Sequence, residues 1–178
     1  MRARQAALIS VFSALAIAAR LLKHALAGTL QFVNIPLIAA MVAAHVGGSL
    51  VGALTGVLSF LGSDAVLGLG PWTLVNSSLA GLIGAAWGSI DTKNSSSVRL
   101  FVFAFLLVFL YDVVSSFALY VLFIGDARVA LLYALVGLFF PVMGGYMVGI
   151  GPLTELVTAA SVTLLINRIN RIELPLLR

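Results

Sequence analysis

The sequence contains no cysteine, which excludes disulfides, thiolate metal sites and thiol catalysis. Charge is nearly as scarce: only 9% of the 178 residues are Asp, Glu, Lys or Arg. A soluble domain carries about 25%. Ten basic and six acidic side chains cannot coat an 18.6 kDa globule in water. This excludes a soluble enzyme, a nucleic-acid-binding protein and a disordered chain. Also absent are GxSxG, HExxH, GxGxxG and P-loop patterns, so no ATP hydrolysis by the usual route is expected. What the chain does have is apolar surface. With 62% hydrophobic residues and a mean hydropathy of +1.17, it reads as an integral membrane protein whose exterior faces lipid.

The charges punctuate the chain. None falls between Lys23 and Asp64, between Asp64 and Asp91, between Arg99 and Asp112, or between Arg128 and Glu155. A helix needs about 20 apolar residues to cross the hydrocarbon core. The gaps therefore predict spans over 5–25, 72–90, 99–123 and 153–169, and two short spans sharing 36–62 with a break at Gly47-Gly48. Pro36 suits a helix start. Residues 64–71 read as a glycine-rich loop, and 91–98 (DTKNSSSV) is the one plainly polar stretch.

Orientation follows from the basic residues. Cytoplasmic links prefer Lys and Arg. Arg2/Arg4, Lys93/Arg99 and Arg168/Arg171/Arg178 fall on one side only if one segment after Arg99 fails to cross completely. The best candidate is 129–150, whose end is crowded with Pro141, Gly144, Gly145 and Gly149. Such a breaker-rich segment suits a re-entrant or surface-lying position shielded by protein. The expected fold is all-α: a single membrane domain over 1–178, with six transmembrane helices plus a re-entrant or extra segment at 129–150. Both termini are expected in the cytoplasm, the chain being a multi-pass protein of the cell membrane. No signal peptide is expected, because Met1-Arg2-Ala3-Arg4 opens a span too long for a leader's apolar region. Arg20 and Lys23 sit at the wrong end of the first span for this orientation; they snorkel or have another task.

Three small-residue ladders recur at every fourth position: Ala6, Ser10, Ala14 and Ala18; Gly48, Gly52 and Gly56; Ala80, Gly84 and Gly88. Such ladders let helices approach closely. The second and third are expected to pack on each other. The first fits either internal packing or a partner.

Hydrophilic side chains at membrane depth are costly and point to a site. Gln31 and Asn34 lie in the outer link after the first span. Trp72 and Asn76 open the fourth, Tyr111 and Asp112 lie within the fifth, and Thr154 and Glu155 start the last. Together they predict a substrate-binding cavity in the outer half. The structural alternative pairs Asp112 with Arg20 or a backbone group. His24 and His45 are too isolated for a metal site, so no metal or cofactor is expected.

The segments ALISVFSALAIA (7–18), QFVNIPLIAAMVAAHVGGSLVGALTGVLSFLGSD (31–64), GPWTLVNSSLAGLIGAAWG (70–88), LYD (110–112) and GPLTELVTAASVTLLINRI (151–169) carry a resemblance. In content and order they resemble the substrate-binding S components of energy-coupling factor (ECF) vitamin transporters. The resemblance implies six helices, no enzymatic activity, and capture of a vitamin or related micronutrient from outside. It implies partners too: a transmembrane coupling subunit and two ATPase subunits, with no nucleic acid. The stripe of Ser10, Ala14 and Ala18 would meet the coupling subunit, and the outer link 27–34 would close the site. The competing expectation is a stand-alone secondary transporter or channel, with Asp112 and Glu155 in ion coupling. Glu155 and Asp112 favour a cationic ligand while Arg20 and Lys23 favour an anionic one, so the residues alone name no substrate.

Overall fold

The computed structural model describes residues 2–28, 30–138, 148–149 and 152–176. The architecture is all-α. Its helices are α1 (Ala3–Ala27), α2 (Ile35–Gly47), α3 (Ser49–Leu67), α4 (Pro71–Gly88), α5 (Ser97–Ile124), α6 (Ala127–Val136) and α7 (Leu153–Leu176). Two short strands, β1 (Leu30–Gln31) and β2 (Val148–Gly149), pair in parallel. Three helices, α1, α3 and α5, are long and apolar enough to cross a membrane, and α2 and α6 are shorter apolar helices. These mark the chain as a membrane protein.

Local chemistry sets the boundaries. Asn34 caps α2, its Oδ1 accepting from the Leu37 N–H at 3.3 Å, with Pro36 in the first turn. Gly48, at φ +86°, separates α2 from α3 as the glycine pair predicts; a side chain there would be strained. Ser96 caps α5 and Asp126 caps α6, while Gly125 ends α5 in the left-handed conformation. One expectation fails: residues 64–71 are not all loop. Helix α3 continues through Asp64 to Leu67. A charge usually ends a span, but here Arg20 and Thr73 satisfy the carboxylate inside the bundle.

At 13 residues, α2 measures about 20 Å, short of the hydrocarbon core. The glycine ladders pack as predicted. A Cβ added at Gly56 would lie 2.6 Å from the Ala80 carbonyl oxygen, and one at Gly52 would lie 2.7 Å from that of Gly84. Backbone therefore meets backbone along the α3–α4 seam.

Helices α1 to α5 alternate in direction, and α7 runs opposite to α5. The bundle thus has two distinct polar ends. At one end, His45 joins Thr92 at 2.6 Å and Asn170 at 3.0 Å, and the Asn167 amide donates to Ser97. The start of α1 belongs to this end, where Ile9 packs on Ala43 and Val51. The three basic clusters therefore share one end, as far as their residues are described. Helix α6 folds back along the last turns of α5, with Tyr120 and Tyr133 edge to face at 5.9 Å. Its 10 residues cover about 15 Å, half a crossing. The remainder of the 129–150 expectation falls largely on 139–147 and 150, outside the described residues.

The link between α4 and α5 is exposed and polar. Asp91 accepts from the Asn94 side-chain amide at 2.9 Å and from its backbone N–H at 3.3 Å. The Asn94 side chain, first, and its N–H hold the Asp91 carboxyl below the usual carboxylate range. Asn94→Ala is expected to move the Asp91 titration upward, toward that of a solvated aspartate. NMR of the carboxyl carbon across the acid range checks this; an unmoved midpoint would show that the contact is too transient to matter.

Candidate functional site

The other end of the bundle holds most of the buried hydrophilic groups. Arg20, from the last turns of α1, points inward rather than snorkelling. Its guanidinium donates to Asp64 Oδ1 at 2.6 Å and to the Ser63 hydroxyl, and lies 4.7 Å from the centre of the Phe60 ring. Thr73 donates to the second Asp64 oxygen at 2.8 Å. One ion pair thus ties α1, α3 and α4 together. Phe60 stacks on buried Tyr111 of α5, ring centres 6.0 Å apart.

The α1–α2 link lies over this cluster and is fastened on two sides. Lys23 Nζ donates to the Leu30 carbonyl at 3.1 Å and approaches the Gln31 side-chain oxygen at 3.4 Å. From the opposite side, Thr154 donates to the Gln31 carbonyl at 2.6 Å, and Thr158 accepts from the Asn34 N–H at 2.9 Å. The β1–β2 pairing adds a third fastening. Beneath the link, Arg20, Lys23, Gln31, Asn34 and Phe60 line a cavity of about 10 Å³, room for one water molecule. A larger hollow of about 320 Å³ opens at the opposite, basic end, beside His45, Thr92 and Lys93.

Glu155 opens α7 at this end and is 1% exposed. Its helix packs along α5, which carries half-buried Asp112. Glu155 Oε2 meets no N–H or O–H donor among the described residues. The Asn34 side chain, also 1% exposed, lies beside the Tyr111 hydroxyl, yet its Nδ2 makes no well-formed hydrogen bond to a described residue. Among the described residues Ser13 Oγ, His24 Nδ1, Thr55 Oγ1 and Trp87 Nε1 share this lack of a well-formed hydrogen bond. Such groups are rare in folded proteins and call for an explanation.

Of the expected site residues, Gln31, Asn34, Tyr111, Asp112, Thr154 and Glu155 gather at this end. Trp72 does not join them. It is on the surface, its indole N–H turned back to the Gly68 carbonyl at 3.3 Å. Asn76 is half-buried on α4, with no described hydrogen bond to the cluster. Asp112 does not pair with Arg20, whose ion-pair partner is Asp64. Asp64 and Thr158 belong to the polar set legible in the sequence, though not to its expected ligand groups; Thr73 is the residue that sequence reasoning misses. The usable signal for Asp64 was its isolation, a single charge between two long uncharged runs.

Ser10, Ala14 and Ala18 are exposed on the outer face of α1, interleaved with Val11 and Leu15. Internal packing is thus not their role within this chain. Among the described residues no group of three or more His, Cys, Asp or Glu gathers to hold a metal ion. No family model, curated protein or solved structure matches the chain.

Proposed function

We propose that the chain is the substrate-binding membrane subunit of an ECF-type importer. It captures a vitamin-like solute from outside and delivers it to a coupling subunit driven by separate ATPases. In this reading α1 to α5 and α7 make six crossings, with both termini in the cytoplasm and α6 beside the outer half. The observation that carries it is the gathering of buried hydrophilic side chains, Arg20, Asn34, Thr154, Glu155 and Thr158 among them, at one end of the bundle beneath a fastened link. Burying hydrophilic groups without partners is unfavourable, and a solute that supplies them offsets that. Entry requires the 28–34 link to lift, breaking a few hydrogen bonds while the bundle stays intact. The exposed small-residue face of α1 supports the other half of the reading. It gives a flat contact on which a partner helix can seat and slide.

A second reading is favoured by one specific feature. Two carboxyl groups on packed helices, Asp112 of α5 and Glu155 of α7, are what a proton-coupled carrier working alone would use. The two readings separate at α1. For an importer subunit, Ala14→Trp is expected to reduce assembly with the coupling subunit more than tenfold while leaving solute binding unchanged. Co-purification and ligand binding on the same preparation check this. Equal loss of both would show that the stripe serves the fold, and loss of neither would show that α1 faces only lipid.

A further inference from the structure

The larger hollow lies at the basic end, away from the outer link, and the receptor reading does not use it. It holds about 320 Å³, against about 10 Å³ beneath the outer link. Ligand pockets start at about 300 Å³, so of the two this one has room for more than water. It opens where α2 and α4 end and the exposed polar link to α5 begins, the level at which the bundle meets the membrane surface. Ala44, Val46 and Ile90 give it an apolar lining. Its shape is held by buried His45, which ties α2 to Thr92 of the link and to Asn170 of α7.

Two exposed charges of opposite sign, Asp91 and Lys93, line the same hollow. They do not pair with each other: Arg20–Asp64 is the one ion pair among the described residues. Each Asp91 oxygen accepts one bond from Asn94 and keeps a lone pair for another donor. The last carbonyls of α2 and α4 also point toward this end, adding partial negative charge. A simple anion would therefore meet Asp91 and those carbonyls, and a simple cation would meet Lys93. An occupant carrying both signs suits both. At a membrane surface the abundant molecule of that kind is a phospholipid with an amine in its headgroup. A primary ammonium can donate hydrogen bonds to a carboxylate and to carbonyls; a trimethylammonium cannot. Exposed Leu50, two residues after Gly48 of the lining, offers apolar surface beside the hollow for the acyl chains.

We propose that this hollow seats the headgroup of a bilayer phospholipid bearing a primary ammonium, its phosphate on Lys93 and its ammonium on Asp91, while the acyl chains stay in the membrane. The site is separate from the outer cluster and stands whether or not the chain is a receptor.

The test uses the full-length chain in lipid nanodiscs holding equal amounts of phosphatidylcholine, phosphatidylethanolamine and phosphatidylglycerol with matched acyl chains. Native mass spectrometry counts the lipids that stay bound on release. Phosphatidylethanolamine is expected to be retained at least fivefold over each of the others. Asp91→Asn is expected to erase its advantage over phosphatidylcholine, and Lys93→Gln to lower its retention at least threefold. Both side chains are exposed, so neither change threatens the fold. Val46→Trp fills the hollow with both charges in place and is expected to remove the preference as well; tryptophan fluorescence on heating checks that each variant is folded. Preferred retention of phosphatidylglycerol would show that the exposed Arg99, Arg168 and Arg171 govern lipid choice, and would overturn the proposal. Equal retention of the three lipids, or a preference unmoved in Asp91→Asn and Val46→Trp, would overturn it too. Free phosphoethanolamine at millimolar concentration is the last arm. Failure to displace the lipid is expected; full displacement would make a soluble zwitterion the occupant and contradict the lipid assignment.

Discussion

Arg20→Met is expected to destabilise the protein by about 3–5 kcal/mol, the range for removing one partner of a buried ion pair. The guanidinium holds Asp64 Oδ1 at 2.6 Å, bonds Ser63, and covers the Phe60 ring. Its side chain is 9% exposed and that of Asp64 2%. With methionine in its place, Asp64 keeps only the Thr73 hydroxyl, and a carboxylate is stranded among apolar helices. The Phe60 contact adds about 0.5–2 kcal/mol, depending on desolvation. The double variant Arg20→Met/Asp64→Leu is expected to recover much of the loss, because it removes the stranded charge as well. Denaturant unfolding in micelles, followed by tryptophan fluorescence, measures both. A loss under about 1 kcal/mol for the single variant would place the pair in contact with water.

The second large effect is at the α3–α4 seam. Gly56→Val is expected to cost at the upper end of the roughly 1–3 kcal/mol range for overpacking. A Cβ at Gly56 would sit 2.6 Å from the Ala80 carbonyl oxygen and 2.7 Å from its carbon. These are backbone atoms of a packed helix, so no rotamer change relieves the clash. The two helices must separate along a seam that also contains Gly52 and Gly84. Gly62→Ala is the control. There the added atom meets only the Ile17 side chain, which can turn away, so little stability should be lost. Equal losses at the two positions would contradict a backbone-to-backbone seam.

Much of this arrangement was legible because it depends on local or periodic features. Uncharged runs located the helices, Gly47-Gly48 located the α2–α3 break, and glycines every fourth residue identified the seam. The polar cluster was legible as a list of residues and less so as an arrangement. Arg20 and Asp64 lie 44 positions apart, and Asp112 and Glu155 lie in helices separated by α6 and its links. No periodicity pairs such residues; packing does. The misplacement of Trp72 has a similar cause. At a helix start, one residue's shift decides whether an indole faces the bundle or the surroundings, and composition is blind to that shift. The end of α3 was misread because a charge is normally taken as a stop, whereas Asp64 is neutralised within the bundle.

The packed helices α5 and α7, which carry Asp112 and Glu155, and the link anchored by Thr154, Thr158 and Lys23 give the two functional readings a common centre. They differ in where the energy comes from. The direct measurement is solute content, by mass spectrometry, of vesicles containing the chain alone or the chain with its coupling subunit and ATPases. Both are offered the same mixture of small nitrogenous solutes under an imposed proton gradient, with and without internal ATP. Accumulation only in the complete, ATP-supplied vesicles is the predicted result. Accumulation driven by the proton gradient in vesicles holding this chain alone would contradict it.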